Sequence, residues 1–179
     1  FNNNISSWDV SNVEIFTVMF GTATSFNGDI SNWDVSSADQ MSLMFSNASN
    51  FNNDISNWDV SNVTNMGAMF VNAIAFDRDL SNWDVSSLWN MYKMFFEASS
   101  FNSDISSWDV SSATNMEFML SLCGMSTSNY DNTLIGWATL NGSETTIPSN
   151  ITLGANGLTY CNAADARQYT LDQGGKTKQ

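Results

Sequence analysis

A chain of 179 residues, 42% of them apolar, can bury a sizeable core as one domain or one elongated repeat array. With 18 acidic residues, 5 basic ones and no histidine, its net charge is −13. Such a surface repels nucleic acid and anionic membranes and makes divalent cations better candidates as partners. No stretch approaches the ~20 apolar residues that cross a bilayer, so membrane insertion is not expected.

The N-terminal 125 residues are self-similar. Phe1, Phe26, Phe51, Phe76 and Phe101 are spaced by 25, as are Trp8, Trp33, Trp58, Trp83 and Trp108, and every one of these Trp residues is followed by Asp-Val-Ser. Met19, Met44, Met69, Met94 and Met119 keep step; Phe20, Phe45, Phe70 and Phe95 follow them, and Leu120 ends the register. The chain opens in mid-pattern with Phe1-Asn2-Asn3-Asn4, so it reads as a fragment or a mature piece, and the lack of a leader says nothing about export.

Each unit shows two periodicities. Trp33-Asp34-Val35 alternates, which predicts a short strand. Ala38, Met41, Met44, Phe45 and Ala48 follow at spacings of 3, 3, 1 and 3, which predicts one face of a short helix. Asn12, Ser37 and Asn62 stand where such a helix would be capped. Neither element buries its apolar face alone, so the units are expected to stack strand on strand and helix on helix.

The spacing Ile-x-x-Trp-x-Val can be laid on the leucine-rich-repeat pattern. The run Trp58-Asp59-Val60-Ser61-Asn62-Val63-Thr64-Asn65-Met66 resembles the BspA-type surface repeats of bacteria. The resemblance covers roughly residues 1–125. It implies an α/β repeat solenoid, a leucine-rich-repeat-like right-handed array of short parallel strands and short helices. It also implies exposure at the cell surface, with adhesion or partner binding and no catalytic residues.

Behind the repeats, residues 126–173 read as a small α+β cap covering the end of the array, and 174–179 as a tail or linker. Ser128 to Ala138 predicts an amphipathic helix. Ile151-Thr152-Leu153 and Leu158-Thr159-Tyr160 predict strands around Gly154 and Gly157, and Asn162 to Leu171 a last helix. The first unit has no equivalent cover, so either more chain or another molecule is expected there. Cys123 falls in the column of Ala23, Ala48, Ala73 and Ala98. A disulfide to Cys161 would staple cap to repeats in an exported protein; two free thiols are the alternative.

Two aspartate columns are candidates for chemistry. Asp9, Asp34, Asp59, Asp84 and Asp109 alternate with core-facing Trp and Val and so face outward. At the ~4.8 Å spacing of in-register neighbours, two charges repel by about 0.9 kcal/mol in water and about 3.5 kcal/mol at an effective dielectric of 20. Hydrogen bonds to Ser, Asn or the next unit's N–H groups would relieve this; so would bound calcium, the one cofactor the composition suggests. Asp29, Asp54, Asp79 and Asp104, with Asn4 at the head, read as turn formers. Asp77 departs from the Asn of its column, beside Arg78.

The Trp column reads as core, with an outward sugar-stacking strip as the alternative. Trp89, Tyr92 and Phe96 lie outside the repeat register at spacings of 3 and 4. With Lys93 they form a candidate partner-contact patch; incidental surface aromatics are the alternative. Enzyme motifs are absent, and with no histidine the usual general base and zinc ligand are missing. The expectation is therefore an extracellular interaction module for a protein or glycan. Self-association into a filament or surface layer comes second, and carbohydrate processing a distant third.

Overall fold

A computed structural model of the chain describes residues 1–139 and 151–163. The 25-residue units lie one on the next, but neither predicted element of the unit forms. The expected α/β repeat solenoid, with its leucine-rich-repeat-like strands and helices, is overturned. Among the described residues the one helix is α1, Thr127–Trp137, which lies behind the repeats. Strand pairing is reduced to isolated parallel bridges, Ile15 to Gln40, Gln40 to Asn65, Asn65 to Asn90 and Asn90 to Asn115. The units consist of consecutive tight turns.

The second unit shows why. Met44 N–H donates to Met41 O, Ser46 to Leu43 O and Ala48 to Phe45 O, each bond closing a four-residue turn. The intervening amides do not turn back four residues, as a helix requires. Met41, Leu43, Phe45 and Asn47 donate to the carbonyls of Asn65, Gly67, Met69 and Val71 in the next unit, at 2.7–2.9 Å. Leu43 and Asn47 also take φ of 58° and 59°, which no α-helix accommodates. A β-turn sets its first and fourth residues close together. The spacings Met41–Met44 and Phe45–Ala48 are therefore the closing distances of turns, and they imitate a helix face.

The predicted strand fails for a related reason. Trp33 N–H bonds Ile30 O and Ala38 N–H bonds Val35 O, so Trp33-Asp34-Val35 is the short link between two turns. Its alternation still places Trp33 and Val35 in the core and leaves Asp34 exposed.

The core is a set of columns. Phe26, Phe51, Phe76 and Phe101 are fully buried, and successive rings of this column stack at 5.8–6.2 Å. Each ring of the second Phe column lies on the Phe that opens the following unit, with centroids 3.8–4.1 Å apart. Trp33, Trp58, Trp83 and Trp108 are buried, which excludes the outward sugar-stacking strip. Each indole N–H finds an acceptor in the preceding unit: the carbonyls of Ile5, Ile30, Ile55 and Leu80, at 2.9–3.2 Å. The buried indole is thereby satisfied and each unit locked to the one before it.

Helix α1 forms where the sequence predicts one. Ser126 caps it, its hydroxyl accepting from Asn129 N–H. Tyr130, Leu134 and Trp137 are buried against the fifth unit. The strands predicted at 151–153 and 158–160 do not form, so the α+β cap is also corrected. Leu120 and Leu122 donate to Gly154 O and Asn156 O, and Leu158 closes a turn on Ala155 O. The helix predicted up to Leu171 and the tail at 174–179 lie outside the described residues.

The turn geometry makes a prediction opposite in sign to that of a helix. Ala68 sits at φ 57°. In a helix, Ala68→Gly would cost about 0.5–1 kcal/mol. In this left-handed position it relieves strain and is expected to stabilise by about 0.5–1 kcal/mol. A urea titration of the two proteins reads the sign.

Candidate functional site

The aspartate columns are spent on local turns. Asp9, Asp34, Asp59, Asp84 and Asp109 each accept, through one oxygen, the N–H of the serine two residues on, at 2.9–3.1 Å. Asp29, Asp54, Asp79 and Asp104 do the same for Ser31, Ser56, Ser81 and Ser106, at 2.9–3.0 Å, and Asn4 plays this part for Ser6. Most of the compensating bonds thus come from the same unit, with Asn132 adding one to Asp104 from α1.

These bonds hold several carboxyls below the usual range. For Asp9 and Asp34 the serine hydroxyl is the main cause and the serine N–H the second; Asp9 pushes Asp34 back up slightly. For Asp29, Asp54 and Asp79 the serine N–H leads. Burial pushes Asp104 up, but bonds from Ser106 and Asn132 outweigh it. Among the described residues no three acidic or cysteine side chains gather where a metal could sit. Serine hydrogen bonds are thus one of the two compensations that the repulsion called for.

A ladder of amide side chains runs beside these columns. Asn2, Asn27, Asn52, Asp77 and Asn102 each accept through Oδ1 from a backbone N–H one unit on, ending at Ser126. Only one acceptor oxygen is used, which is why Asp77 replaces Asn without loss. Arg78 donates from Nε to Asn52 O.

Cys123 is half-buried in the alanine column, where burial pushes its thiol up, and Cys161 is exposed; in this structure both are free thiols, the alternative that the sequence left open. The cap is held instead by Asp131, a buried residue of α1 whose carboxylate accepts the N–H groups of Cys161 and Asn162 at 2.9–3.2 Å. Beside it lies an open hollow of about 380 Å³ lined by Ser128, Asp131, Asn132, Ile135 and Cys161.

The contact patch is partly assembled. Lys93 occupies the apex of the turn Met91–Met94, with φ 54°, and its N–H donates to Glu117 O. Its ammonium lies 5.3 Å from the Tyr92 ring, 5.1 Å from Phe96 and 5.6 Å from Phe118. Phe118 meets Tyr92 and Phe96 edge to face, both at 6.3 Å. Three rings thus surround one cation, an arrangement worth about 0.5–1 kcal/mol at an exposed site. Trp89 is 46% exposed but shares no ring contact with this group among the described residues. Phe118 was not foreseen. Its signal was an aromatic 25 residues after Lys93, in the column of Val18, Leu43 and Ala68. The group joins flat apolar faces, which stack on the C–H faces of sugars or on side chains, to a charge that attracts carboxylates.

Comparison with known proteins adds a family. The family model described as "Mycoplasma protein of unknown function, DUF285" matches residues 1–72 and 53–146. No curated protein and no solved structure matches the chain.

Two outcomes follow from the columns. A folded-state carboxyl below its unfolded value of about 3.9 contributes stability that is complete above that value and fades as pH falls through the lowered one. In the triple variant Asp29→Asn, Asp54→Asn and Asp79→Asn the turns keep their acceptor but cannot titrate. The wild type is expected to melt higher than this variant at neutral pH and to lose the advantage below about pH 4, which a series of thermal melts records. Calcium against a chelator at fixed ionic strength is expected to leave the wild-type midpoint unchanged, because a ligand must bind the folded state to stabilise it.

Proposed function

We propose that this chain, which belongs to the DUF285 family, is an extracellular interaction module that binds a glycan or protein partner at the cell surface and performs no catalysis. The observation that carries the reading is the group of Tyr92, Lys93, Phe96 and Phe118. It is a half-buried aromatic and cationic group, with Phe118 its exposed member, on a chain of net charge −13. Among the described residues Lys93 makes no ion pair, so its charge stays available to an incoming anion. The resemblance of the Trp58–Met66 run to BspA-type surface repeats supports the same placement outside the cell, by analogy. The lack of histidine supports the non-catalytic part.

Acidic sugars suit the site best, because they offer C–H faces to the rings and a carboxylate to the lysine. Lys93→Ala and Phe118→Ala are the test variants. Both side chains lie at turn apices outside the core, so each variant is expected to melt within a few degrees of the wild type. On an array of neutral and acidic glycans and surface proteins, each is expected to lose about tenfold in affinity for the wild type's ligand, the worth of ~1.4 kcal/mol. Unchanged binding by both variants would remove this site from the reading.

A further inference from the structure

The units have two unlike halves. In units two to five, the half that holds the two aspartate columns leaves only Asp, Asn, Ser, Gly28 and Arg78 outside the core. Leu43, Ile74, Trp89, Phe118 and Leu122, the large exposed apolar side chains of these units, all stand in the other half, near the turn apices.

A ladder of side-chain amides crosses this second half. Asn65 Nδ2 donates to Gln40 Oε1 and Asn90 Nδ2 to Asn65 Oδ1, both at 2.9 Å. The next rung does not close. Among the described residues Asn115 Nδ2 reaches no acceptor, and Asn90 Oδ1 takes the Tyr92 N–H alone, at 3.1 Å. Asn65 Oδ1, by contrast, takes two donors, Gly67 N–H and Asn90 Nδ2. Asn90 and Asn115 are only half-buried, so one open acceptor and one open donor lie within reach of solvent on neighbouring units.

The residue two positions after each amide decides where the ladder stops. A Cβ on Gly67 would meet Asn90 Nδ2 at 2.9 Å and Asn65 Oδ1 at 3.2 Å, so the closed rung depends on the missing side chain. Tyr92 holds that place at the open rung, whereas Gln40 passes Ser42 because it is longer by one methylene. Tyr92 thus breaks the ladder and adds a ring beside the break. On the other side stands Trp89, whose carbonyl accepts the N–H groups of Thr114 and Asn115 at 2.9 and 3.2 Å. Met91 is fully buried, which leaves Trp89, Asn90 and Tyr92 turned away from the core.

We infer that the open rung joins Trp89 to the group of Tyr92, Lys93 and Phe118 in one binding surface, and that this surface takes a glycan of two or more sugars, an extension that rests on the proposed function. A sugar hydroxyl is both donor and acceptor. With one oxygen it donates to Asn90 Oδ1 and accepts from Asn115 Nδ2. The sugar that carries it lays a C–H face on Trp89, while a linked uronic acid meets the other rings and places its carboxylate at Lys93. Among the described residues Trp89 makes no ring contact with the Lys93 group, so the two aromatic faces are separate and the amide pair lies between them.

Calorimetric titration of the full chain with uronic acid oligosaccharides tests this. The probes are galacturonate oligomers and oligomers that alternate glucuronate with N-acetylglucosamine, at lengths of about one, two and four sugars. At least one series is expected to gain about tenfold in affinity from the single uronic acid to the disaccharide. Trp89→Ala and Asn115→Ser should abolish that gain and leave the affinity for the single sugar unchanged. Serine at this position keeps a neutral oxygen for the Glu117 N–H and withdraws the amide. Lys93→Ala and Phe118→Ala should instead weaken binding at every length. Affinity independent of length, a gain that either folded variant keeps, or no binding in both series overturns the inference. In those cases the proposed function stands as long as Lys93→Ala and Phe118→Ala lose affinity on the array. If those two variants bind every length as the wild type does, the site of the proposed function fails and this extension with it. Should Asn115→Ser unfold, Trp89→Ala decides, because its side chain lies outside the core.

Discussion

The division of the backbone amides between two directions is the constraint on which the rest of this protein depends. A buried N–H or C=O must find a partner. Helices and sheets solve this with one repeating bond; here the amides alternate. Met44, Ser46 and Ala48 bond within their own unit, while Met41, Leu43, Phe45 and Asn47 bond to the next. No unit can satisfy its own backbone, and none can bury its Phe and Trp columns alone. Hydrogen bonding and apolar burial therefore demand the same neighbour in the same register. The left-handed residues at each turn apex, Leu43 and Asn47 in this unit, cost about 1–2 kcal/mol each, which only a contact repeated along the stack can support.

That constraint also decides what could be read from residues alone. The 25-residue period, the inward Trp, Phe and Met columns and helix α1 were legible, because they depend on which side chains are apolar and how far apart they stand. The backbone between them was not. Met41, Met44, Phe45 and Ala48 have the spacing of a helix face because a turn brings its first and fourth residues together, as one turn of helix does. The signal that usually separates the two, glycine at positive φ, is missing: Val18, Leu43, Lys93 and Phe118 occupy the left-handed position instead. Tertiary bonds to the next unit hold them there, and a single unit gives no local sign of such bonds. At the candidate site, Tyr92, Lys93 and Phe96 were legible as a departure from the repeat. Phe118 was hidden because it joins them across units.

The same geometry separates frame from contact surface. Positions whose side chains enter the stack hold nearly the same residue in every unit, as the Phe26 and Trp33 columns show. The turn apex holds Val18, Leu43, Ala68, Lys93 and Phe118 in five successive units. An apex side chain stands off the core, so its identity does not affect the stacking that positions it. Recognition can therefore change at these positions without a change of fold, and neighbouring apices can combine, as Lys93 and Phe118 do.

The acidic surface has to be explained separately from the turns that carry it. Asn4 supports its turn with a neutral oxygen in the same way that Asp29 and Asp54 do with a charged one. The turn thus requires an acceptor, not a carboxylate. Net charge far from zero opposes the approach of other copies. Aspartate at a turn that asparagine could serve adds this repulsion at every unit, while the Ser–Asp bonds limit its cost within the stack. Against such a surface Lys93 and its rings are a local exception, and in the proposed function that exception is what a partner recognises.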